Sequence, residues 1–476
     1  MTTSTPVKNS LATFPHLEEI REKINFHGDQ ETLSKTTRLI GERLESHGIT
    51  FEGRDLPVSL IPTLVRAEDA ARVARAGALI RGVLNRAILS FVEEHRKGKL
   101  DGPMHRFFTP YYKVWDLIAA EQRTLEHIQL MRYDTVYDAQ GQWGFMETNT
   151  GCPGGVIHCA RIRDAWLSTP YGQSVSAGED LAEFPVDRPD GFVRFLAAKA
   201  LEIDSDNPNI AILNYRGVHT NELESLRRCH AELRERAEIP AGELFIGDIR
   251  DISVDADRAY LRGTPIALIY NKLPARLIAP DNPEIRGWLD AATRKGTEFL
   301  NSWGATYLTE AKRALALVSD PEWNAFLELT DEEAEVIRES VPFTRLIEDI
   351  AADGGDGRTS LLSGAKESLV LKADLLTRGS GIYLGDETSG DNWQQAVTAT
   401  RASHGVLQVK CDLPHREALA ADLPADSGVS EYYGVDAFFF GSDFTGLVSR
   451  SHTDQVFNVG NGGKESPVLI VNPKRS

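Results

Sequence analysis

Arg132, Asp134, Glu147 and Asn149 stand in two short runs, Met131 to Tyr137 and Gln142 to Asn149, whose polar and apolar residues alternate as strands do. Side chains on a strand point to alternate faces, so Arg132 shares a face with Asp134, and Glu147 shares one with Asn149. If Asp138-Ala139-Gln140-Gly141 is the loop between them, Tyr137 lies opposite Gln142 and Arg132 opposite Glu147. All four polar side chains then point the same way. Carboxylates and an amide oxygen suit a hard divalent cation such as Mg²⁺, whose remaining positions phosphate oxygens can fill. An arginine beside them can hold a phosphoryl group. On these residues alone, a solvated hairpin face with a surface ion pair is an equal reading.

The neighbouring residues tip that balance. Thr150-Gly-Cys-Pro-Gly-Gly155 is a glycine-rich loop running into a helix, and its backbone N–H groups and the helix N-terminus could take an anion. Much later, the apolar strand Leu369 to Asp374 carries Lys372, followed by a small loop with Arg378, Gly379, Ser380 and Gly381. Such a lysine could reach nucleotide phosphates while the loop closes over them; an ordinary hairpin with a snorkelling lysine is the competing reading. A further strand over Gly405 to Asp412 places Gln408 and Lys410 where backbone and side chains could meet an adenine edge.

The elements that must position these residues are legible in outline. Apolar residues from Leu64 to Lys97 recur at helical spacing, and His105 to Ile128 reads as helix with aromatics for the core. A helix is expected over Val156–Trp166. From Pro189 to Arg276 strands (Ile210–Asn214, Leu244–Ile249, Ile266–Asn271) alternate with a helix over Asn221–Ala237, the pattern of parallel strands joined by helices. Helices are expected over Glu284–Phe299, Leu308–Val318 and Asp331–Glu339. A linker is expected at 352–357, before a β-rich end in which Tyr433–Phe440 and Thr445–Ser451 form a hairpin. The fold class is α/β in the broad sense (α+β), with a helical N-terminal region.

Composition sets limits. The 476 residues carry a net charge of −18 and no offsetting basic block, which argues against a nucleic-acid partner. No apolar run is long enough to span a bilayer, and Met1–Ser10 has no apolar signal core. The four cysteines do not make a disulfide framework, so a reduced cytoplasmic setting is expected. Cys152, His158 and Cys159 invite a zinc reading, but no second paired ligand group stands at a recognisable spacing.

Taken together, Arg132-x-Asp134, Glu147-x-Asn149, Lys372 and the 378–381 loop resemble the ATP-grasp superfamily, with the segments in reversed order. That order is similar to the circularly permuted, glutathionylspermidine synthetase-like ligases. The run Asn301-Ser-Trp-Gly-Ala-Thr-Tyr-Leu-Thr-Glu-Ala-Lys312 also looks like a family feature, although Ala311 occupies the place of the usual acidic residue. The resemblance implies two Mg²⁺ ions held by Asp134, Glu147 and Asn149, Arg132 on the transferred phosphoryl group, and ATP phosphates on Lys312 and Lys372. It implies a lid at Gly379–Gly381. It further implies a helical region over 1–130, the hairpin and glycine-rich loop over 131–187, a substrate domain over 188–300 and the nucleotide-binding part over 301–476. The activity implied is an ADP-forming carboxylate–amine ligase acting on amino acids through an acyl phosphate.

Arg216 and His219 follow a strand end, where α/β ligand sites lie, and Arg276 and Arg345 are further candidates for a substrate carboxylate. A polyamine acceptor, a nucleotide-binding pseudoenzyme and a zinc hydrolase are the alternatives. The expected partners are small-molecule substrates, with no nucleic acid and no membrane; homo-oligomerisation is left open.

Overall fold

The computed structural model describes residues 30–51, 53–138, 140–182, 187–216, 221–273, 275, 278–350, 365–376, 379–417, 430–456 and 459–473. The expected linker at 352–357 and the candidates His219, Arg276 and Arg378 lie outside these residues.

Helix α1 (Gln30–Ser46) precedes a small hairpin, β1 (Thr50–Phe51) and β2 (Arg54–Asp55), and then β3 (Thr63–Arg66), which runs directly into the long helix α2 (Ala67–Arg96). Along α2 the residues Val73, Gly77, Ile80, Leu84, Ala87 and Phe91 form one buried stripe at three- and four-residue spacing. Glu68 and Asp69 at its start and His95 and Arg96 at its end complement the helix dipole. The stretch expected as helix from His105 is instead two short helices, Pro103–Phe107 and Trp115–Ala120, separated by a 3₁₀ segment that begins at Thr109-Pro110.

β4 (Leu130–Tyr137) and β5 (Trp143–Asn149) form the expected hairpin, followed by helices α3 (His158–Leu167) and α4 (Gly191–Ile203). Then come β6 (Ile210–Asn214), α5 (Asn221–Glu235) and β7 (Leu244–Asp248), a three-stranded antiparallel flap of β8 (Ile252–Val254), β9 (Ala259–Leu261) and β10 (Thr264–Ile266), and the strands β11 (Leu268–Asn271) and β12 (Glu298–Phe299). β12-β11-β6-β7 is a parallel sheet, as the alternation of strands and helices requires. The helix expected over Glu284–Phe299 is shorter, Arg286–Ala291, because the end of the segment joins this sheet.

β13 (Thr344–Leu346), β14 (Leu369–Lys372), β15 (Ile382–Leu384) and, after α6 (Gly390–Ala402), β16 (Val406–Val409) form an antiparallel sheet in the order β13-β16-β14-β15. The last strands, β17 (His415–Glu417), β18 (Ser430–Phe440), β19 (Asp443–His452) and β20 (Lys464–Val471), complete a seven-stranded sheet in the order β3-β20-β19-β18-β4-β5, with β17 on β18.

This central sheet has two different faces. Val435, Ala437 and Phe439 of β18 pack with Tyr133, Phe145 and the α2 stripe in one core cluster. Phe438 and Phe440 pack on the opposite side with α3 and α4. At Gly77 the helix comes so close that a Cβ would sit 2.3 Å from the Phe439 ring. Asp436 shares the α3 side of β18 by alternation and lines a cavity on that face.

Asp69 pins α2 to the hairpin. It is fully buried, takes Arg66 Nε at 2.6 Å and Nη2 at 2.9 Å, and also accepts the Tyr137 hydroxyl. Its carbonyl takes Trp143 Nε1 at 2.9 Å. Asp69→Ala should cost about 2 kcal/mol, because it leaves the buried Tyr137 hydroxyl without its acceptor and removes the Arg66 ion pair. The measurement is the urea midpoint followed by tryptophan fluorescence, and an unchanged midpoint would show the network to be dispensable.

Candidate functional site

The β4–β5 register differs from the sequence expectation, and the difference builds the site. Tyr137 pairs with Trp143 and Thr135 with Phe145; the register then shifts, so that Asp134 pairs with Glu147 and Arg132 with Asn149. The extra residue is Met146. Side chains alternate strictly in an unbulged strand, so Glu147 and Asn149 would follow Trp143 and Phe145 into the α2 core. The bulge at Met146 turns them onto the face of Arg132 and Asp134. It also releases the Met146 carbonyl from the ladder, and that oxygen accepts from Lys372 Nζ at 2.9 Å and Gln408 Nε2 at 3.4 Å.

Two lysines thus reach one strand from separate parts of the chain. Lys372 comes from β14 and, with Gln408 on the adjacent β16, forms a roof over the hairpin. Lys312 bonds Glu147 directly. The expected helix over Leu308–Val318 is broken here: a π-helical turn (Ala305–Thr309) and a helix at Ala314–Ser319 leave Lys312 in the turn between them. Its backbone N–H donates to Asp374 Oδ1 at 2.8 Å, and Asp374 also takes the Tyr111 hydroxyl. Lys312 and the lysine strand are therefore held in one frame, anchored to the helical N-terminal region.

The floor continues onto β18 and β19, which the sequence marked only as a hairpin in the β-rich end. Asp436 stands opposite Asp134 across the strands and is ion-paired with Arg450. Arg450 Nη2 is also 3.5 Å from Asp134 Oδ1, and Arg132 Nε is 2.9 Å from the same oxygen. Asn149 Nδ2 donates to it at 2.8 Å. Burial opposes the charge on Asp134, but Arg132 and then Arg450 outweigh it and hold its pKa below the usual carboxylate value. Asp436 is pushed up, by burial first, because Arg450 does not fully compensate for burial and the facing Asp134. The one signal for this pair was an acid in the otherwise apolar run Val435-Asp-Ala-Phe-Phe-Phe440 and a base in the strand beside it.

The glycine-rich loop is not an open anion cradle. Glu310 Oε2 takes the Thr150 N–H at 2.6 Å and the Gly151 N–H at 2.7 Å, so a side chain of the protein already fills that position. Burial raises the Glu310 pKa, and these two donors oppose the rise.

A cavity of about 530 Å³ joins these groups. Arg132, Asp134, Glu147, Asn149, Lys312, Lys372, Gln408 and Lys410 line it, as do Gly379 and Ser380 from the loop after β14. Lys410 is ion-paired with Asp386. Gly381 closes the β14–β15 hairpin instead, its carbonyl accepting the Ala373 N–H at 2.8 Å. Thr50, Phe51 and Leu56 line the cavity too, giving the region before Met131 a place in the site. Arg216 and Arg345 do not line it. Arg345 is bound to buried Asp320 at 2.7 Å, and Arg216 stacks on Tyr215 at 5.1 Å past the end of β6.

The zinc reading finds no support in the geometry: His158 bonds Glu465, Cys159 lies in the core with its thiol pushed up by burial, and no group of three His, Cys, Asp or Glu among the described residues could hold a metal alone. Magnesium asks for less, one or two carboxylates with water and phosphate oxygens completing the shell. The all-oxygen donors of Asp134, Glu147 and Asn149 fit that demand in type. Cations of the protein neutralise both carboxylates, Lys312 on Glu147 and Arg132 with Arg450 on Asp134.

No family model and no curated protein matches the chain. Among solved structures it is similar to one described as "Putative gamma-glutamylcysteine synthetase" from Methylobacillus flagellatus KT, at 13% identity and a TM-score of 0.40, over 82% of this chain and 87% of that one. A score that low assigns neither fold nor activity. Among the described residues no helix is long and apolar enough to cross a membrane.

Proposed function

We propose that this protein is an ATP-dependent carboxylate–amine ligase that forms an amide between amino-acid substrates and releases ADP and phosphate. The observation that carries the reading is the convergence of Lys312 and Lys372, from two later segments, on the bulged stretch of β5 that bears Glu147. Cations for phosphates and oxygen donors for a metal then face one another across a single cavity.

In this reading Lys372 and Lys312 bind the nucleotide phosphates, and Gln408 and Lys410 on β16 and its end stand where the base would lie. Asp134, Glu147 and Asn149 would hold Mg²⁺, which supplies charge neutralisation between the phosphates. Arg132 orients the phosphoryl group as it moves to the substrate carboxylate, and Arg450 keeps Asp134 ionised. The loop at Gly379 and Ser380 limits water access to the acyl phosphate. No nucleophile of the protein is needed.

Purified protein with Mg·ATP and pairs of amino acids, dipeptides or polyamines should release ADP only with particular pairs. The product should be lighter than the pair by one water, as read by mass spectrometry. EDTA should abolish the reaction and added Mg²⁺ restore it. Absence of both ADP release and ATP binding would overturn the reading.

A further inference from the structure

We propose that the end of the cavity beside the Thr150–Gly155 loop seats the amine-bearing substrate, and that His158, held by Glu465, takes the proton from its ammonium group. The inference rests on the ligase reading above. His158 opens α3 directly after the loop that follows Asn149, and both it and Glu465 of β20 line the cavity. Its Nδ1 is 2.6 Å from Glu465 Oε2, with the two side chains 14% and 8% exposed. That bond fixes the ring and leaves Nε2 as the exchangeable nitrogen. The position is close to the chemistry. Gly155, at φ +82°, passes so near that a Cβ there would lie 3.4 Å from His158 Nδ1. One residue earlier, the Gly154 carbonyl accepts Arg132 Nη1 at 3.2 Å. The pair is therefore one turn of loop from the arginine assigned to the phosphoryl group.

Glu222, in the first turn of α5, lines the same end. Its Oε2 is 3.9 Å from Lys272 Nζ, while its Oε1 is buried with no hydrogen-bond partner among the described residues. A buried carboxylate oxygen without a donor is costly, and an ammonium group brings the donor it lacks. An ammonium has no lone pair, so a base must act before it can attack. His158 Nε2 takes one proton, and Glu465 stabilises the imidazolium. The neutral amine then attacks the acyl carbon; the C–N bond forms as the C–O bond to phosphate breaks, and phosphate leaves with that electron pair. The remaining extra proton on nitrogen passes to the departing phosphate, and His158 returns its own to water.

The charges that face His158 are Glu465 on β20, Glu222 on α5 and Lys272 after β11, with Arg132 and Arg450 behind Glu465. Burial works to lower its pKa, but Glu465 and then Glu222 outweigh burial and Lys272, and the imidazole is held above 6.5. Amide synthesis should therefore rise with pH through a value above 6.5, as the imidazole loses its proton.

The test compares two kinds of acceptor, hydroxylamine, which is neutral at neutral pH and needs no base, and the standard amino acids with spermidine, which arrive as ammonium ions. With one carboxylate donor and Mg·ATP, His158→Gln should slow amide formation about 100-fold and remove the pH-dependent limb, with a far smaller effect on hydroxamate formation. Glu222→Gln should raise the KM for the ammonium acceptor roughly tenfold with little change in kcat. If His158→Gln makes amide at the wild-type rate and pH dependence, or loses hydroxamate and amide formation equally while its melting temperature is unchanged, the base assignment is overturned. If the wild-type protein makes no hydroxamate with any donor, the ligase reading fails, and the base with it.

Discussion

Glu147→Gln should cut ADP formation about 10³-fold and leave the protein folded. Glutamine keeps the length of the side chain and an acceptor for Lys312, so the β4–β5 hairpin loses no packing; Glu147 is part of the cavity wall and 19% exposed. The lost charge has two consequences. In the ligase reading Mg²⁺ would lose one of its two hairpin carboxylates. Lys312, on which burial acts to lower the pKa, loses the partner that holds its pKa above the usual lysine value. Steady-state ADP release across a Mg²⁺ series, with thermal melting as the folding control, measures both. Turnover at the wild-type rate would remove Glu147 from the site.

Lys372→Met should raise the ATP requirement roughly 10- to 100-fold, the range for losing a hydrogen bond to a charged partner, with a smaller change in kcat. Lys372 is 7% exposed and its ammonium has a backbone carbonyl as its bonded partner. Burial lowers its pKa below 10.5, and Glu147 only partly restores it against Lys312. The sign of the pH effect follows. The ammonium loses its proton at a lower pH than a free lysine, so ATP affinity falls as pH rises through that depressed value. Bound phosphate pushes the value back up. Titration of Mg·ATP from neutral to alkaline pH should show this fall in the wild-type protein and its absence in the methionine variant, which keeps the apolar stem against the β14–β16 sheet. Equal affinity in the two proteins would mean that β14 is not the nucleotide strand.

The two predictions test opposite sides of the same cavity, and how each side was legible differs. The hairpin residues were readable because Arg-x-Asp and Glu-x-Asn put like-facing polar groups two apart on strands, a local rule. The parallel sheet was readable because alternating helices and strands leave few other arrangements. The start of α2 was misjudged because Thr63–Arg66 pairs with β20, some four hundred residues away, and β propensity there depends on that partner. Asp436, Arg450 and Glu465 were missed as site residues for the same reason, and His158 was weighed only as a zinc ligand. In isolation each of the three is a polar residue in a strand, and only the order β20-β19-β18-β4 sets Asp436 and Arg450 against Asp134 with Glu465 paired to Arg450.

By itself, then, the sequence determined the main elements in outline and which side chains of one strand share a face, because both depend on periodicities of two to four residues and on polar groups that must find partners. It also determined the list of oxygen donors and cations available for chemistry. Tertiary structure alone decided the rest: the bulge at Met146 that turns Glu147 out of the core, the roof that brings Lys372 to a carbonyl freed by that bulge, and the Asp134–Arg450–Asp436 floor. Those contacts join residues up to about three hundred positions apart, and their geometry is set by strand order and packing, which no local pattern encodes.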